Sequence, residues 1–590
     1  MTAGTREVAG GGPDRSAGEP GPGGAPGMPV FPDDLNLADY FLFDRLREGK
    51  GDQVAIRFGD RAWSYAEVAA RSRALARTLV AHGLAPEQRV YIVLPDLPPF
   101  AWAIFGTLAA GGVVTMGNPS APADDLAYVL GYVKAAVLIT TPEVAEALAP
   151  RLATLPHLAG VLLAPDAATG DDPEDTVTPG PRTAELAPRR WIASLDAAIA
   201  AADPAVVLPA PRRDDPAVWL FTSGSTGRPK AAMHSHRDFA FNTEVYARRT
   251  VGYTGSDVAI SVPRLFFGYA TGTNLWFPFA VGATVGLFSE RPTAETVADA
   301  IARYRPTIVT NVPTMLGKLL DLDDERRAAG GPGLDLSSVR FHLSAGEALP
   351  EPLLRRFIER FGGEVYDGIG SAEMFHIYCS NRPGDVVPGS LGRAVDGYTL
   401  KILPEDAEGA GAPALPPGEI GVLWVKGDSV AHGYFQDRDK SWKTFHGHWC
   451  RTGDLFHIDE RGYLWFSGRA DDLFKVGGIF VAPREVEDCL LGHPAVSVAA
   501  VIPADDAGLI KPKAVVVLRP EARGHDPRAL AGELQAHVRA RLSKHKYPRW
   551  VVFVDDLPKN DRGKVDKKLL IERDRRGDLR DAGDRERDRE

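Results

Sequence analysis

Short apolar runs alternate with amphipathic stretches along most of this chain of 590 residues. Val90–Leu94 and Ala136–Ile139 are short and apolar, which is typical of buried strands. Ala66–His82 instead spaces its apolar residues at helical intervals. Strands that alternate with helices favour sheets covered by helices. We therefore expect an α/β fold, with several domain-sized units in a chain of this length.

The two ends of the chain have compositions that do not favour a packed core. Residues 1–32 are rich in glycine and proline and contain no apolar run of the kind found in signal peptides. Residues 571–590 are a dense run of mixed charges. Both are predicted to be flexible tails. Residues 164–189 are predicted to be a surface insertion, and residues 409–418 a loop between two strands.

Charge and composition weigh against two classes of partner. The formal net charge of −10 disfavours general nucleic-acid binding. Leu97–Ala123 carries no charge, but Gly111 and Gly112 divide it into a predicted buried helix and a short strand, so we expect no membrane span. The three cysteines show no metal-ligand or disulfide spacing, which fits the cytoplasm.

A glycine- and hydroxyl-rich segment follows the predicted strand Trp219–Phe221 and ends at Lys230. Glycines allow backbone N–H groups to approach an oxyanion, hydroxyls donate hydrogen bonds, and a lysine adds positive charge. A polyphosphate is therefore the expected ligand. The segment is not a Walker A loop, because two residues separate its last glycine from the lysine. Its residues before the lysine are Thr222, Ser223, Gly224, Ser225, Thr226, Gly227, Arg228 and Pro229.

This segment resembles the phosphate loop of the adenylate-forming enzymes, which include acyl- and aryl-CoA ligases, peptide-synthetase adenylation domains and firefly luciferase. Further segments resemble the other motifs of that superfamily, in the same order, and the resemblance spans roughly residues 36–570. They are Ser344–Glu347, Asp367–Glu373, Arg451–Asp454, Gly468–Asp472 and Pro558–Lys564. Each motif is only suggestive alone, but together they are specific.

The resemblance implies a large N-terminal region of helix-covered sheets with a β-rich subdomain, followed by a smaller, mobile α+β domain. The expected boundaries are 33–470 for the N-terminal domain and 471–570 for the C-terminal lid, with Asp471 as the hinge. It also implies ATP, Mg²⁺ and coenzyme A as cofactors and substrates. The expected reaction activates a carboxylate as an acyl-AMP and then transfers the acyl group to CoA.

The resemblance also assigns roles to single residues. Lys564 is expected to stabilise charge on the carboxylate and the α-phosphate, and Lys230 to bind pyrophosphate. Glu373 is the expected Mg²⁺ ligand, and Asp454 with Arg469 the expected ribose site. After the hinge rotates, Gly477 and Gly478 are expected to leave room for pantetheine. The remaining nucleotide-binding positions are Gly346, Glu347, Asp367, Gly368, Ile369 and Ser371.

The chain departs from the common pattern at several of these positions. Ala372 occupies the place where most members carry threonine, so a hydroxyl to phosphate is absent unless Ser371 replaces it. Ile369 replaces an aromatic residue that stacks on adenine in many members. Phe267 occupies the place of a gating histidine, and Cys450 that of another aromatic residue. We expect the change at Ala372 to affect the adenylation rate and not the fold.

Within the superfamily, the chain is most similar to the benzoate–CoA ligase group. The similar stretches include Leu265–Tyr269, Glu373–Ile377 and His545–Trp550. This resemblance implies a flat acyl pocket, with its small residue Gly268 hinting at a substituted benzoate. The residues implied for the pocket are Phe267, Gly268, Tyr269, His376 and Ile377.

Other interpretations remain open from the sequence alone. The chain could load the pantetheine of a separate carrier protein, since the first half-reaction is identical. It could also be a medium-chain or alicyclic acyl-CoA synthetase, or a degenerate ligase fold used only for binding. Assembly into a homodimer also stays open from the sequence. The aryl–CoA ligase interpretation has the best support, with an aryl carboxylic acid, ATP and CoA as its small-molecule partners.

Overall fold

The computed structural model describes residues 27–165, 177–186, 190–223, 228–347, 349–469, 474–476, 479–481, 483–506, 509–559 and 565–579. Within these ranges the protein has the predicted α/β architecture, with a smaller α+β region at its C-terminal end. The helix Tyr65–Ala81 and the strands Arg89–Val93 and Val137–Thr140 match their predicted positions within a residue or two. Ser64 begins that helix with a capping box that includes Glu67.

Two large sheets, mostly parallel, form the N-terminal region. In the described part of the chain one sheet has nine strands, in the spatial order Arg393–Ala394, Ile377–Ser380, Glu364–Gly370, Phe341–Ser344, Ile308–Asn311, Val258–Ser261, Thr284–Leu287, Val54–Phe58 and Arg61–Ser64. The other has seven, in the order Trp191–Ser194, Gly160–Leu163, Val137–Thr140, Arg89–Val93, Val113–Met116, Pro216–Ser223 and Pro229–Ser235. Antiparallel pairing is confined to the outer strands of these sheets.

Helices cover and separate the two sheets. Pro98–Ala109 is buried along its whole length and shares one apolar core with residues of both sheets, as expected for a helix that is apolar on all sides. With the strand Val113–Met116 it confirms that the uncharged stretch is two short buried elements. No helix in the described ranges is long and apolar enough to cross a membrane. The other N-terminal α-helices are Asp44–Arg47, Ala123–Tyr132, Pro142–Leu152, Pro181–Ala184, Leu195–Ala200, His236–Asn242, Gly268–Thr271, Phe277–Val281, Ala294–Tyr304, Pro313–Ala328, Glu351–Phe361 and Arg438–Thr444.

A β-rich unit and the C-terminal region complete the fold. The β-rich unit consists of Thr399–Leu403, Gly421–Lys426, Phe445–His446, Trp449–Ile458 and Leu464–Arg469, and the predicted loop 409–418 connects its first two strands. The described C-terminal strands are Phe474–Val476, Ile479–Val481, Val496–Asp506, Leu509–Leu518 and Trp550–Phe553, and the helices are Pro483–Leu491, Pro527–Arg541 and Lys567–Arg575.

Both predicted tails include residues that pack against the body. Arg213 donates a hydrogen bond of 2.6 Å to the carbonyl of Phe31. The last helix continues to Arg575, and Leu579 beyond it is buried because it joins a small apolar cluster with Leu570. Residues 1–26 and 580–590, and residues 166–176 and 187–189 of the expected insertion, lie outside the described ranges.

Candidate active site

A two-stranded hairpin presents the two ends of the predicted phosphate loop. The strands Pro216–Ser223 and Pro229–Ser235 pair antiparallel, and Thr222 lies opposite Lys230. The loop residues Gly224, Ser225, Thr226 and Gly227, and the side chain of Ser223, lie outside what the structure describes. The described strands therefore bring the first hydroxyl and the lysine of the motif to the same end of one sheet.

Lys230 and the predicted metal ligand Glu373 both contact one tyrosine. The ammonium nitrogen of Lys230 lies 4.2 Å from the ring centroid of Tyr434, a cation–π distance. The hydroxyl of Tyr434 donates a hydrogen bond of 2.7 Å to Oε1 of Glu373. The structure thus brings the motif lysine and the motif glutamate, 143 positions apart in the sequence, against a shared side chain.

Glu373 lies in the short 3₁₀ turn Ala372–Met374. Residues from other segments donate hydrogen bonds to all three backbone carbonyls of this turn. His234 Nε2 donates to the carbonyl of Ala372 at 2.6 Å. The backbone N–H of Ala431 donates to the carbonyl of Glu373 at 2.8 Å, and the hydroxyl of Ser429 donates to the carbonyl of Met374 at 2.9 Å. The next residue, Phe375, has a φ of +67°, a strained conformation for a non-glycine residue. These bonds fix the turn and with it the carboxylate.

Glu373 has the chemistry that a magnesium ion needs, although it is not part of a larger cluster. Mg²⁺ is usually held by one or two carboxylates together with substrate phosphates and water. No group of three or more histidine, cysteine, aspartate or glutamate side chains in the described ranges could hold a metal by itself. The hydrogen bond from Tyr434 engages Oε1, which leaves Oε2 as the natural ligand atom. A single carboxylate beside the hairpin that carries the predicted phosphate loop fits magnesium bound mainly through a nucleotide.

The predicted nucleotide segments lie on neighbouring parallel strands. Ser344, the last residue of Phe341–Ser344, is the register partner of Asp367 in the middle of Glu364–Gly370. Gly346, two residues after Ser344, has a φ of +90°. Asp367 is buried, and burial raises the pKa of its carboxyl to about 8, although Arg484 of the C-terminal region acts in the opposite direction. The carboxylate of Glu347 accepts a hydrogen bond of 2.7 Å from the hydroxyl of Thr314.

Gly368 and Gly370 lie where two strands approach too closely for a side chain. A Cβ at Gly370 would lie 2.4 Å from the carbonyl oxygen of His376, and one at Gly368 would lie 2.9 Å from the carbonyl oxygen of Cys379. The strand Glu364–Gly370 therefore needs glycine at both positions to pair with Ile377–Ser380. This pairing brings Ile369, Ser371 and Glu373, expected on the nucleotide side, next to the residues expected on the acyl side.

The predicted ribose pair also meets across two strands. Asp454 in Trp449–Ile458 is the register partner of Arg469 in Leu464–Arg469. The backbone N–H of Asp454 donates to the hydroxyl of Thr452, which in turn donates to the carbonyl of Leu423. These bonds order the turn that carries the carboxylate. The side chain of Arg469 lies outside the described set.

The predicted acyl residues surround a buried histidine. His376 is 2% exposed, and its Nε2 donates a hydrogen bond of 3.0 Å to the carbonyl of Tyr269. Its ring centroid lies 4.7 Å from that of Phe277 and 5.7 Å from that of Tyr246. Burial lowers the pKa of His376 to about 4, so the imidazole is neutral near pH 7.

Two polar atoms of this pocket lack partners in the described part of the protein. They are Nδ1 of His376 and the hydroxyl of Tyr269, and both are buried. Unpaired buried polar atoms are costly, so either atom would gain from a hydrogen bond to a ligand or to water. Ile377 is buried beside them, and Phe267 is half-buried against Phe266. A Cβ added at Gly268 would lie 3.1 Å from Cδ1 of Leu220, so Leu220 occupies the space next to this glycine.

Several functional positions come from residues with no sequence signal of their own. Tyr434, His234 and Ser429 lie outside the recognised motifs, and each acts on Glu373 or its turn from a distant segment. Tyr246 and Phe277 contact His376 from helices whose apolar residues are indistinguishable from ordinary core. Only their ring contacts with His376 identify them as neighbours of the predicted acyl residues.

The remaining predicted residues lie outside the described ranges. They are Lys564, Asp471, Gly477 and Gly478. The described flanks of the Lys564 segment are close together, since Lys559 and Val565 form a β-bridge and the N–H of Asp566 donates to the carbonyl of Pro558 at 2.8 Å. The roles of these four residues stay predictions.

Comparisons with known proteins agree with this geometry. The profile of the family described as AMP-binding enzyme matches residues 43–435, and that of the AMP-binding enzyme C-terminal domain matches residues 485–564. The chain is 38% identical to a benzoate–CoA ligase of Thauera aromatica, over 91% of this chain and 95% of the relative. It is 37% identical to a 4-hydroxybenzoate–CoA/benzoate–CoA ligase of Rhodopseudomonas palustris, over 91% and 94%.

A solved structure shows the same fold. The anthranilate CoA ligase AuaEII, in complex with anthranoyl-AMP, superposes with a TM-score of 0.81 at 32% identity, covering 93% of this chain and 99% of that one. The predicted superfamily and the α/β fold are both confirmed. The paired strands, the held glutamate and these matches together establish that the chain belongs to the AMP-binding enzyme family of adenylate-forming ligases.

Proposed function

We propose that this protein is an ATP-dependent aryl carboxylate–CoA ligase that works through an aroyl-AMP. The observation that carries the proposal is that Tyr434 contacts both Lys230, in the hairpin of the predicted phosphate loop, and Glu373, which follows the strand Glu364–Gly370. That strand pairs with Ile377–Ser380, directly after His376 and its aromatic neighbours. The similarity to benzoate–CoA ligases over nine-tenths of the chain supports the same substrate class. The confirmed family makes the overall reaction an AMP-forming acid–thiol ligation.

Adenylation needs positive charge and orientation, because a carboxylate must attack a crowded α-phosphate. Lys230 and the hydroxyls before it bind the departing pyrophosphate, and Asp454 accepts hydrogen bonds from the ribose. Glu373 holds Mg²⁺, which when bound neutralises charge on the phosphates. Lys564 supplies charge to the carboxylate and the α-phosphate. The pairing of Asp454 with Arg469 and the contacts of Lys230 and Glu373 with Tyr434 support these roles.

The aromatic pocket supports a benzoate that carries a polar group. Tyr269, Tyr246 and Phe277 provide flat walls around His376. The unpartnered Nδ1 of His376 and hydroxyl of Tyr269 would bond the carboxylate or a ring hydroxyl or amino group. A neutral His376 can do this without burying a charge. Where these two atoms bond a ring substituent, a linear alkyl chain would leave both unpaired, and the flat walls fit a planar ring better than such a chain.

A panel of acids tests the substrate class. Benzoate, hydroxybenzoates, aminobenzoates, hexanoate and octanoate should be compared by the initial rate of acyl-CoA formation with ATP and Mg²⁺. We expect kcat/KM for the best benzoate to exceed that for either fatty acid by about 100-fold or more, because two buried polar atoms and the flat walls discriminate. Parallel measurements of pyrophosphate release with and without CoA separate a CoA ligase from an enzyme that needs a carrier protein. A marked preference for fatty acids would overturn the aryl assignment.

A substitution at Gly272 tests whether the residues around His376 bind the aryl acid. A Cβ at Gly272 would lie 2.3 Å from Cδ2 of His376 and would displace the ring. We expect Gly272→Ala to raise the KM for the aryl acid about tenfold while the KM for ATP changes less than about twofold. Gly411→Ala is the matched control, since nothing lies within 4 Å of its added Cβ. An unchanged acid KM in Gly272→Ala would contradict the pocket assignment.

A restored hydroxyl tests the role of the turn before Glu373. Ala372 lacks the hydroxyl that most members direct at phosphate, and a hydrogen bond to a charged group is worth about 1.5–3 kcal/mol. We therefore expect Ala372→Thr to raise the rate of pyrophosphate formation about tenfold. Ala372→Val has the same shape without the hydroxyl and should give no gain. Equal rates in the threonine and valine variants would show that no phosphate lies within reach of this position.

A further inference from the structure

The segment Ser429–Phe435 joins the phosphate hairpin to the turn that carries Glu373. On one side it pairs with the strand Pro229–Ser235, since the N–H of Met233 donates to the carbonyl of Gly433 and the N–H of Phe435 donates to the carbonyl of Ala231. On the other side, Ala431 and Ser429 donate to the carbonyls of Glu373 and Met374. The side chain of Tyr434 projects from the middle of this bridge.

The side chain of Tyr434 contacts two charged groups as well as packing against its neighbours. It is 5% exposed, and its ring contacts the ammonium group of Lys230 while its hydroxyl donates to Glu373 at 2.7 Å. A buried tyrosine needs one partner for its hydroxyl, and most use a backbone carbonyl or water. Here the partner is the carboxylate that is expected to meet the metal–nucleotide complex. A hydrogen bond to an ionised carboxylate is stronger than one between neutral groups.

We propose that Tyr434 is a positioning residue for the metal site: its hydroxyl fixes one oxygen of Glu373 and so aims the other at the magnesium of the metal–nucleotide complex. This inference rests on the proposed function, because it assumes that Glu373 meets that metal. Partners of metal-ligating carboxylates orient the ligand, and their loss commonly costs about 10- to 100-fold in metal affinity.

The test measures how much Mg²⁺ strengthens ATP binding, and it does not depend on turnover. Isothermal titration calorimetry gives the ATP dissociation constant in EDTA and in Mg²⁺. The EDTA value divided by the Mg²⁺ value is the factor by which the metal strengthens ATP binding. We expect Tyr434→Phe to reduce this ratio about tenfold while the EDTA value changes less than about twofold. The phenylalanine ring keeps the contact with Lys230, so only the hydroxyl is removed. An unchanged ratio would overturn the proposal.

Two further variants distinguish positioning from general damage. Tyr40→Phe removes a similar tyrosine-to-carboxylate bond, to Glu244, whose helix contributes Tyr246 to the acyl pocket but carries no residue predicted to bind nucleotide or metal, and it should leave the ratio unchanged. In a Glu373→Gln background, Tyr434→Phe should have no further effect on the ratio, because both substitutions remove the same interaction. A full additional loss in that background would refute the positioning role. A wild-type ratio of one would instead refute the metal role of Glu373 in the proposed function.

Discussion

Lys564→Ala is expected to slow aroyl-AMP formation by about 10²- to 10³-fold while thioester formation from supplied aroyl-AMP and CoA stays within about twofold of the wild type. The lysine supplies positive charge when the carboxylate attacks the α-phosphate, and that charge is not needed when a thiol displaces AMP from a preformed adenylate. The first step is measured as pyrophosphate release from the acid and ATP. The second is measured with synthetic aroyl-AMP, so that the two rates come from separate assays.

A neighbouring lysine provides the control for this variant. Lys568 is exposed on the helix Lys567–Arg575, a few residues after Lys564, and carries the same charge. Lys568→Ala should retain both rates within about twofold, as is usual for surface substitutions. If Lys564→Ala lost both half-reactions equally, the proposed division of labour between two arrangements of the C-terminal domain would be wrong.

Gly370→Ala is expected to lower the free energy of unfolding by about 3 kcal/mol and to remove most ligase activity. The added Cβ would lie 2.4 Å from the carbonyl oxygen and 2.5 Å from the carbonyl carbon of His376, and backbone atoms cannot rotate away as a side chain can. The two strands must separate, which moves Ser371 and Glu373 relative to the acyl pocket. Urea unfolding and acyl-CoA formation measure the two effects.

Gly409→Ala tests whether this loss comes from the close contact. Gly409 lies in the loop between two strands of the β-rich unit, with nothing within 4 Å of an added Cβ and no positive φ. Its alanine variant should unfold at the wild-type urea concentration and retain full activity. Wild-type stability of Gly370→Ala would mean that the strands Glu364–Gly370 and Ile377–Ser380 are not as close as the structure places them.

Local patterns predicted those features that depend on neighbouring residues. The helix Tyr65–Ala81 has its cap and its apolar face within one stretch, so periodicity places it within a residue. The motif segments around Lys230, Glu373 and Asp454 were equally visible, because their chemistry depends on short spacings. The end of the last helix was harder to predict. The charges near Arg573 indicate a solvated tail, whereas Leu579, which follows them, packs into an apolar cluster.

The parts of the site that could not be predicted depend on contacts between distant segments. Nothing near Tyr434 in the sequence indicates that its hydroxyl meets Glu373, or that His234 holds the carbonyl of Ala372. The resemblance pointed to the small residue Gly268 as a hint of a substituted benzoate, but only the structure reveals that Leu220 lies next to it. Partners of this kind are set by strand order and register, which composition and periodicity do not determine.

In the proposed function, a carboxylate and ATP form an acyl-AMP in this site before any thiol is needed. Exchange of labelled pyrophosphate into ATP, measured with an aryl acid and Mg²⁺ but without CoA, tests it most directly. We expect exchange that requires the acid and is lost in Lys564→Ala. Absence of acid-dependent exchange, together with CoA-dependent release of ADP and phosphate, would contradict it.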